Sequence, residues 1–310
     1  MRLRGTCHPC RMTETYVSDG EDRQVGSDGA IFLAATPIGN AQDATLRLRR
    51  AIEDADVVAG EDTRRFRNLC SRLELKPTAQ IVALHDHNEA DRSQWLIDQA
   101  QQGKLVLVVS DAGTPTVSDP GYHLVTRAFA QGVNLVPLPG PSAALAALSV
   151  SGLPTDRFAF EGFLPRKGSG QSRRLAELAK DSRTLIIFES PRRTAVTLRA
   201  LSEHFGEDRP AALCRELTKT HEEVLRGTLG ELAQGASEKE VLGEITIVVG
   251  GATAATRTLD PQELGRRVLK TSQREGLRLK DAAAIVAEQE GVRKNQAMQA
   301  ALDYSADLPR

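Results

Sequence analysis

Short apolar segments alternate with helix-like segments along most of the chain, and this alternation restricts the fold more than any other feature. The first candidate strands are rich in Val, Ile and Leu: Ala30–Ala35, Asp56–Gly60, Gln80–Leu84, Lys104–Ser110 and Val133–Leu138. Between them, Ala41–Ala55 and Glu89–Gln102 carry apolar residues at helical spacing. Strands that alternate with helices in this way predict a mostly parallel sheet covered by helices.

A second set of strands and helices begins after Gly152-Leu153-Pro154. It contains a helix-like segment, Arg192–Phe205, and four strand-like ones, Arg157–Phe163, Thr184–Glu189, Ala211–Leu217 and Glu244–Val249. We therefore expect an N-terminal α/β domain at residues 29–152 and a second α/β domain at 153–252.

The two ends of the chain differ from this pattern. Residues 257–310 predict only helices, with a start at Asp260-Pro261 and two further helices, Leu279–Glu290 and Lys294–Asp303, separated by Gly291. This spacing indicates a C-terminal helix-turn-helix domain. Residues 1–28 are polar and lack periodic apolar residues, so we interpret them as a disordered extension. Cys7 and Cys10 resemble half of a zinc site, but no second Cys/His pair follows at matching spacing, which favours no metal.

Charge is balanced over the whole chain and unbalanced locally. The 310 residues hold 40 basic and 41 acidic side chains, so a polyanionic partner would have to meet a local patch. Residues 157–199 supply one, with ten Lys and Arg against four Asp and Glu. No apolar run reaches the roughly eighteen residues that span a bilayer, which predicts no membrane segment and a cytoplasmic location. Four cysteines in the whole chain fit a reducing compartment.

Four loops follow predicted strands and combine Gly or Pro with small polar residues. They are Thr36–Asn40, Ser110–Pro115, Pro139–Ala143 and Glu189–Pro191. Each alone could be an ordinary turn, but ligands of open α/β sheets bind at the carboxyl ends of strands. Since neither a G-x-x-x-x-G-K-[ST] nor a G-x-G-x-x-G motif is present, the loops predict a ligand held without a phosphate cradle.

Three charged segments also follow predicted strands, and each has a simpler explanation. Glu61–Arg65 is either a solvated helix start or a substrate contact. His85–Asn88 is a fragment of a metal site or, more simply, a source of hydrogen bonds to substrate. Arg215–Glu223 is either a set of surface ion pairs or part of a site.

Several motifs along the chain form a pattern when taken together. They are "ATPIGN", "EDTR", "HDHNE", "SDAGTP", "SDPGY", "PGPSA", "SVSGLPTDRFAFEGFLPRK", "FESP", "RELTKTHEE" and "RGTLGEL". In order and spacing they resemble the cytidine 2'-O-methyltransferases of small-subunit ribosomal RNA, within the tetrapyrrole methylase superfamily. The resemblance covers about residues 30 to 250. It implies a tetrapyrrole-methylase-like fold of two α/β domains with a C-terminal helix-turn-helix domain. It also implies S-adenosylmethionine bound between the α/β domains, a homodimer, and methylation of a cytidine ribose in 16S rRNA or the small ribosomal subunit.

The same resemblance assigns residues to roles. The cofactor residues are Asp111, Gly113, Thr114, Pro115, Pro141, Ser142, Ala143, Phe188, Leu217 and Gly243. The substrate residues are Pro37, Gly39, Asn40, Arg64, Arg166, Lys167 and Lys219. Because some group must take the hydroxyl proton, we expect a catalytic acid among Glu61, Asp62 and Glu216, and we expect no metal. The sequence departs from the family where Arg192 replaces the histidine of "ESPHR" and where Ala41-Gln42 begins the first helix.

Two alternatives remain open at this stage. One is a superfamily methylase that acts on a tetrapyrrole or another small molecule, which would need neither the basic segment nor the helical tail. The other is a non-enzymatic regulator that binds nucleic acid through the helix-turn-helix, for which the strand-end loops would have no purpose.

Overall fold

The structure is a computed structural model that describes residues 29–85, 88–166, 168–239, 241–252 and 260–306. The predicted disordered extension, the Cys7–Cys10 pair and Lys167 lie outside the described residues. Contacts divide the chain into two units. The first holds residues 44–140 and the segment ending at Thr36, and the second holds residues 37–43 and the chain from Pro141 onward.

The first unit is built on a five-stranded sheet. Its strands are β1 (Ala30–Ala34), β2 (Val57–Gly60), β3 (Gln80–Ala83), β4 (Leu105–Val109) and β5 (Asn134–Leu138). They lie in the order β3-β2-β4-β1-β5, and every neighbouring pair is parallel. The predicted parallel sheet is therefore confirmed. The central strands β2 and β4 are buried along their whole length, as expected of a sheet that is covered on both faces.

Four α-helices connect these strands: α1 (Leu46–Asp54), α2 (Thr63–Arg72), α3 (Glu89–Gln101) and α4 (Tyr122–Ala130). The single helix predicted over Ala41–Ala55 is divided into a 3-10 turn at Ala41–Asp43 and α1. The reason is an N-cap at Thr45, whose hydroxyl accepts a hydrogen bond from the Leu48 amide at 3.1 Å and so fixes the start of α1.

The second sheet is mixed. Its strands are β6 (Phe158–Phe163), β7 (Thr184–Glu189), β8 (Pro210–Arg215), β9 (Glu223–Thr228) and β10 (Ile245–Val249), in the order β6-β7-β10-β8-β9. Only β6 and β7 are parallel. The sequence did not predict β9, because its residues EVLRGT contain few apolar side chains. Strand β9 is an edge strand that pairs only with β8.

The helices of the second unit are α5 (Ala143–Ser151), α6 (Ser169–Leu178), α7 (Thr194–Phe205) and α8 (Leu229–Glu238). Helices α6, α7 and α8 share a core with one face of the second sheet. Helix α5 packs on β7, β8 and β10, so the contacts change from the first unit to the second at Gly140 and Pro141. This division lies about one helix earlier than the boundary that the sequence suggested at Gly152.

The C-terminal segment is all-helical, as predicted. It consists of α9 (Pro261–Glu275), α10 (Leu279–Glu290) and α11 (Lys294–Ala306). The three helices share one small core, formed mainly by Leu264, Val268, Val286 and several alanines. Gly265 on α9 allows a close approach, because a Cβ atom there would lie 2.2 Å from the Ala300 carbonyl oxygen.

Among the described residues, no helix is long and apolar enough to cross a membrane. Within the same residues, no group of three or more His, Cys, Asp or Glu side chains is placed to hold a metal ion.

Candidate active site

In the first unit, the loops after β1 and β4 are joined by backbone hydrogen bonds. The Thr36 amide donates to the Gly113 carbonyl at 2.9 Å, and the Gly113 amide donates to the Thr36 carbonyl at 3.0 Å. Two hydroxyls reinforce this pairing, since Thr36 Oγ1 donates to the Ser110 carbonyl and Ser110 Oγ to the Gly113 carbonyl. Gly113 is buried at a φ of 89°, a conformation that favours glycine. The sequence-predicted convergence of these two loops is thus present.

Asp111 links the β4 loop to the start of α2. Its carboxylate accepts a hydrogen bond from the Asp62 amide at 2.9 Å and forms an ion pair with Arg65 at 3.3 Å. Asp62 is the N-cap of α2, because its own carboxylate accepts from the Arg64 and Arg65 amides. These backbone hydrogen bonds, that from Arg64 foremost, lower the pKa of the Asp62 carboxyl. The carboxylates at 62 and 111 are therefore held by the loops that they join.

The other predicted residues of the first unit differ in exposure. Glu61 is half-buried and Arg64 is exposed at the start of α2. Thr114 is exposed, whereas Pro115 is buried. As the sequence predicted, Thr114 and Pro115 lie in the loop after the carboxyl end of β4.

A buried glutamate that holds the start of α4 was not singled out from the sequence. Glu89, the last residue of "HDHNE", is 4% exposed. One carboxylate oxygen, Oε1, accepts hydrogen bonds from the backbone amides of Gly121, His123 and Leu124 at 3.0, 2.8 and 3.2 Å. These amides are free donors at the start of α4, so Glu89 fixes the end of the loop that begins at Asp111.

Replacement of Glu89 by alanine should destabilise the protein by about 3 kcal/mol, because three amides would lose a charged acceptor and two of them are buried. Urea unfolding of the variant measures this change in the free energy of unfolding. Glu53→Ala, at an exposed position of α1, is the matched control and should cost less than about 0.5 kcal/mol. Equal costs for the two variants would contradict the assigned role of Glu89.

In the second unit, the segment after Thr36 packs on the loop after β8. The Asn40 amide donates to Thr218 Oγ1 at 3.1 Å. Gly39 lies so close to this loop that a Cβ atom would be 2.4 Å from Lys219 Cγ and 2.6 Å from Thr218 Oγ1. Pro37 is buried beside them. The structure thus brings together three of the predicted substrate residues, Gly39, Asn40 and Lys219.

The loop after β8 has an unusual backbone, which is fixed by Glu216. Glu216 and Thr218 adopt φ values of 50° and 65° on either side of the buried Leu217. Such conformations are uncommon for residues other than glycine and concentrate at functional sites. The Glu216 carboxylate accepts a hydrogen bond from Lys219 Nζ at 2.8 Å and from the Glu244 amide at 2.8 Å. The Lys219 hydrogen bond is the main reason why the pKa of Glu216 is lowered.

Gly243 leaves the space that the Glu216 side chain occupies. Its φ is 89°, and a Cβ atom there would lie 2.4 Å from Glu216 Cγ and 2.5 Å from Cδ. Lys219 also pairs with Glu244 at 3.2 Å. Two predicted cofactor residues, Leu217 and Gly243, therefore share one tight cluster with Glu216.

We expect Glu216→Gln to destabilise the protein near neutral pH and to matter less in acid. Since folding lowers the pKa of Glu216 below its ordinary value of 4.5, its stabilisation is fully present above that value and is lost as the pH falls through the folded-state pKa. Urea unfolding at a series of pH values should show the difference between wild type and variant narrowing below pH 4.5. A difference independent of pH would contradict the Lys219 ion pair.

Two further predicted elements lie in the second unit. Pro141, Ser142 and Ala143 begin α5, with Ser142 as the N-cap whose hydroxyl accepts from the Leu145 amide. Phe188, near the end of β7, packs edge-to-face against Phe160 and Phe163, with ring centroids 4.8 and 5.9 Å apart.

The "FESP" loop contains a buried ion pair that the sequence did not predict. The Glu189 side chain is fully buried and accepts hydrogen bonds from Thr197 Oγ1 at 2.6 Å and from the Ser190 amide at 2.7 Å. Arg193 Nη2 lies 3.3 Å from the Glu189 carboxylate and also donates to the Leu164 carbonyl. Arg192, at the position of the family's histidine, is exposed. Arg166 is exposed in the loop after Leu164.

Residues 30–233 match the sequence model of the tetrapyrrole (corrin/porphyrin) methylases. The chain belongs to the tetrapyrrole methylase family. A relative from Mycobacterium tuberculosis, named Ribosomal RNA small subunit methyltransferase I, is 49% identical to this methylase over 279 residues, which are 89% of this chain and 95% of the relative. Relatives of the same name from Escherichia coli O157:H7 and Halalkalibacterium halodurans are 42% and 40% identical, over 96% and 94% of their lengths and 89% and 88% of this chain.

Solved structures share the fold of this methylase. A cobalt precorrin-4 methyltransferase of cobalamin biosynthesis superposes with a TM-score of 0.55 at 19% identity, over 74% of this chain and 98% of that enzyme. A uroporphyrin-III C-methyltransferase from Thermus thermophilus, solved with S-adenosyl homocysteine, gives a TM-score of 0.51 at 22% identity, over 72% and 97% of the two chains. The predicted tetrapyrrole-methylase-like fold with helical C-terminus is thereby confirmed.

Proposed function

We propose that this methylase transfers the methyl group of S-adenosylmethionine to the ribose 2'-hydroxyl of a cytidine in small-subunit ribosomal RNA. The observation that carries the proposal is the group of relatives that are 40–49% identical over nearly their whole length and are named Ribosomal RNA small subunit methyltransferase I. The basic segment at residues 157–199 supports a polyanionic substrate.

The strand-end loops fit a cofactor that lacks phosphate. In the first unit, Asp111, Gly113, Thr114 and Pro115 supply a fixed carboxylate, a buried left-handed glycine and a proline. In the second unit, the proposed cofactor residues are Pro141, Ser142, Ala143, Phe188, Leu217 and Gly243. Apolar residues and small polar ones make up most of both sets, as an adenosine without phosphate requires.

S-adenosylmethionine supplies an electrophilic methyl group, so the residues of the protein mainly align the attacking hydroxyl and exclude water. Asp62 and Glu216 already accept hydrogen bonds that lower their pKa, which suits positioning better than proton abstraction. Glu61, which is half-buried directly after β2, is the first acid to test as the proton acceptor. Gly39 and Asn40 would line the ribose with Pro37, and Arg64, Arg166 and Lys167 would bind phosphates. Lys219 could bind a phosphate only by giving up its ion pairs with Glu216 and Glu244.

The remaining expectations belong to the same proposal. The partner is 16S rRNA or the assembled small subunit, the enzyme works as a homodimer, and it acts in the cytoplasm, where small ribosomal subunits are found. Sedimentation at micromolar concentration tests the dimer.

The decisive experiment combines the protein, methyl-labelled S-adenosylmethionine and small ribosomal subunits that lack the modification. Label in one cytidine ribose is the expected result, and label in a base or in no nucleotide would exclude the proposal. A parallel reaction with uroporphyrinogen tests the alternative small-molecule substrate.

Glu61→Gln should lower kcat while the affinity for S-adenosylmethionine is preserved, and Arg67→Gln on the exposed side of α2 is its control.

A further inference from the structure

Strand β6 ends with an exposed aromatic ring, and a β-bulge determines its direction. The pairing with β7 shifts between Phe160 and Gly162, so that Glu161 is the extra residue. Without the bulge, Phe160 and Phe163 would point to opposite faces of the sheet. With it, both rings contact Phe188. Phe163 is nevertheless 58% exposed.

Phe163 lines a groove between the end of β6 and helix α6. The groove has a volume of about 370 Å³. Its apolar side is formed by Phe163, Leu164 and Pro165, and its charged side by Arg173, Arg174 and two acids, Glu161 and Glu177. Arg193 holds this loop in place through the Leu164 carbonyl. The groove therefore lies within the second unit.

The charges along the groove are unequally engaged. Arg174 pairs with Glu161 at 2.5 Å and with Glu177 at 3.2 Å, so these three groups hold one another and carry a net charge of −1. Arg173 is 84% exposed and lies 4.0 Å from Glu177, at the limit of an ion pair. Arg166 is exposed in the loop next to Pro165. Arg173 thus lines the groove together with the accessible Phe163, and Arg166, which follows the lining residue Pro165, adds a second exposed cation.

We propose that this groove binds one unpaired nucleotide of the RNA next to the target ribose, with its base stacked on Phe163 and its phosphate bound by Arg173 and Arg166. An exposed aromatic face beside arginines is the usual arrangement for single-stranded RNA, in which unstacked bases are available. Because stacking accepts any base, Phe163 contributes affinity for RNA without selecting a base. Arg173 contributes a positive charge that attracts the phosphate. The inference rests on the proposed RNA substrate. It adds a contact to that RNA outside the target nucleotide.

The test is steady-state methylation of small subunits by Phe163 variants. Phe163→Ala should raise KM for the subunit on the order of tenfold, Phe163→Leu should raise it similarly, and Phe163→Tyr should stay near wild type, because stacking requires the ring rather than its volume. Arg173→Gln should raise KM and make the decrease of log(kcat/KM) with log[salt] shallower by about one. Phe129→Ala and Arg47→Gln, exposed positions on α4 and α1 and outside the basic segment, are the matched controls.

Phe163 touches Phe188, which is a proposed cofactor residue. The affinity of each variant for S-adenosylmethionine is therefore measured by calorimetry, and it should equal that of wild type. If wild type methylates subunits and Phe163→Ala has a normal KM, the groove inference is wrong and the proposed function stands. If Phe163→Leu behaves like wild type, stacking is excluded. If Phe163→Ala instead changes the sedimentation of the protein, the ring belongs to an interface between copies of the chain. A wild-type enzyme that labels no RNA would overturn both proposals.

Discussion

Arg193→Ala should lower the free energy of unfolding by about 3 kcal/mol, measured by urea unfolding. The substitution leaves the Glu189 carboxylate, which has no exposed surface, without its cationic partner, and breaking a buried pair in this way typically costs about 3–5 kcal/mol. The lower end applies because Thr197 and Ser190 still donate to Glu189 and because the Arg193 side chain is 26% exposed.

The neighbouring Arg192→Ala is a close control, since it removes the same side chain from an exposed position and should cost less than about 0.5 kcal/mol. The double variant Glu189→Gln with Arg193→Ala should recover part of the loss, because no buried charge remains unpaired. If Arg192→Ala and Arg193→Ala are equally stable, the buried pair contributes nothing.

The largest effect on activity is expected for Gly243→Ala. The new Cβ atom would lie 2.4 to 2.6 Å from three atoms of Glu216, and the φ of 89° is itself unfavourable for alanine. The Glu216 side chain must move, and it then loses its hydrogen bonds to Lys219 and to the Glu244 amide. Because displacement of a positioning loop by about 1 Å can cost about 100-fold in rate, kcat/KM should fall by that order.

Gly235→Ala tests whether the effect is specific to this position. Gly235 is a helical residue of α8, where an added Cβ atom meets no heavy atom within 4 Å. Alanine there should stabilise the protein by about 0.5–1 kcal/mol and leave activity unchanged. Calorimetric titration with S-adenosylmethionine provides a second measurement for Gly243→Ala, which should bind the cofactor more weakly. Normal affinity and normal rate would show that the Glu216 loop does not serve the site.

Much of the fold could be predicted because the signal is local. Nine of the ten strands in the described part of the chain correspond to apolar segments recognised in the sequence, and α10 was predicted with its observed ends. Strand β9 was missed because an edge strand needs little apolar surface. Strand β8 was predicted to reach Leu217 and ends at Arg215, because Glu216 leaves the extended conformation for a φ of 50°.

The candidate site was predictable to the level of its loops. Glycine, proline and small polar residues after strands predicted that the strand-end loops converge, and the loops after β1 and β4 do so through the backbones of Thr36 and Gly113. The partners of the charged side chains were not predictable. His85–Asn88 predicts hydrogen bonds to a substrate, which stays a prediction, and the next residue, Glu89, was not singled out although it binds amides more than thirty residues further along the chain.

The sequence by itself determined the order of strands and helices, the parallel first sheet, the family and the loops that carry the chemistry, since each depends on spacing along the chain. Only the tertiary structure decided which charges are paired. Glu189 with Arg193, Glu216 with Lys219, and Glu161 with Arg174 look like the exposed charges around them in the sequence. Their burial and their distances depend on the packing of distant segments, which also decides that Phe163 is exposed on the same face as Phe188.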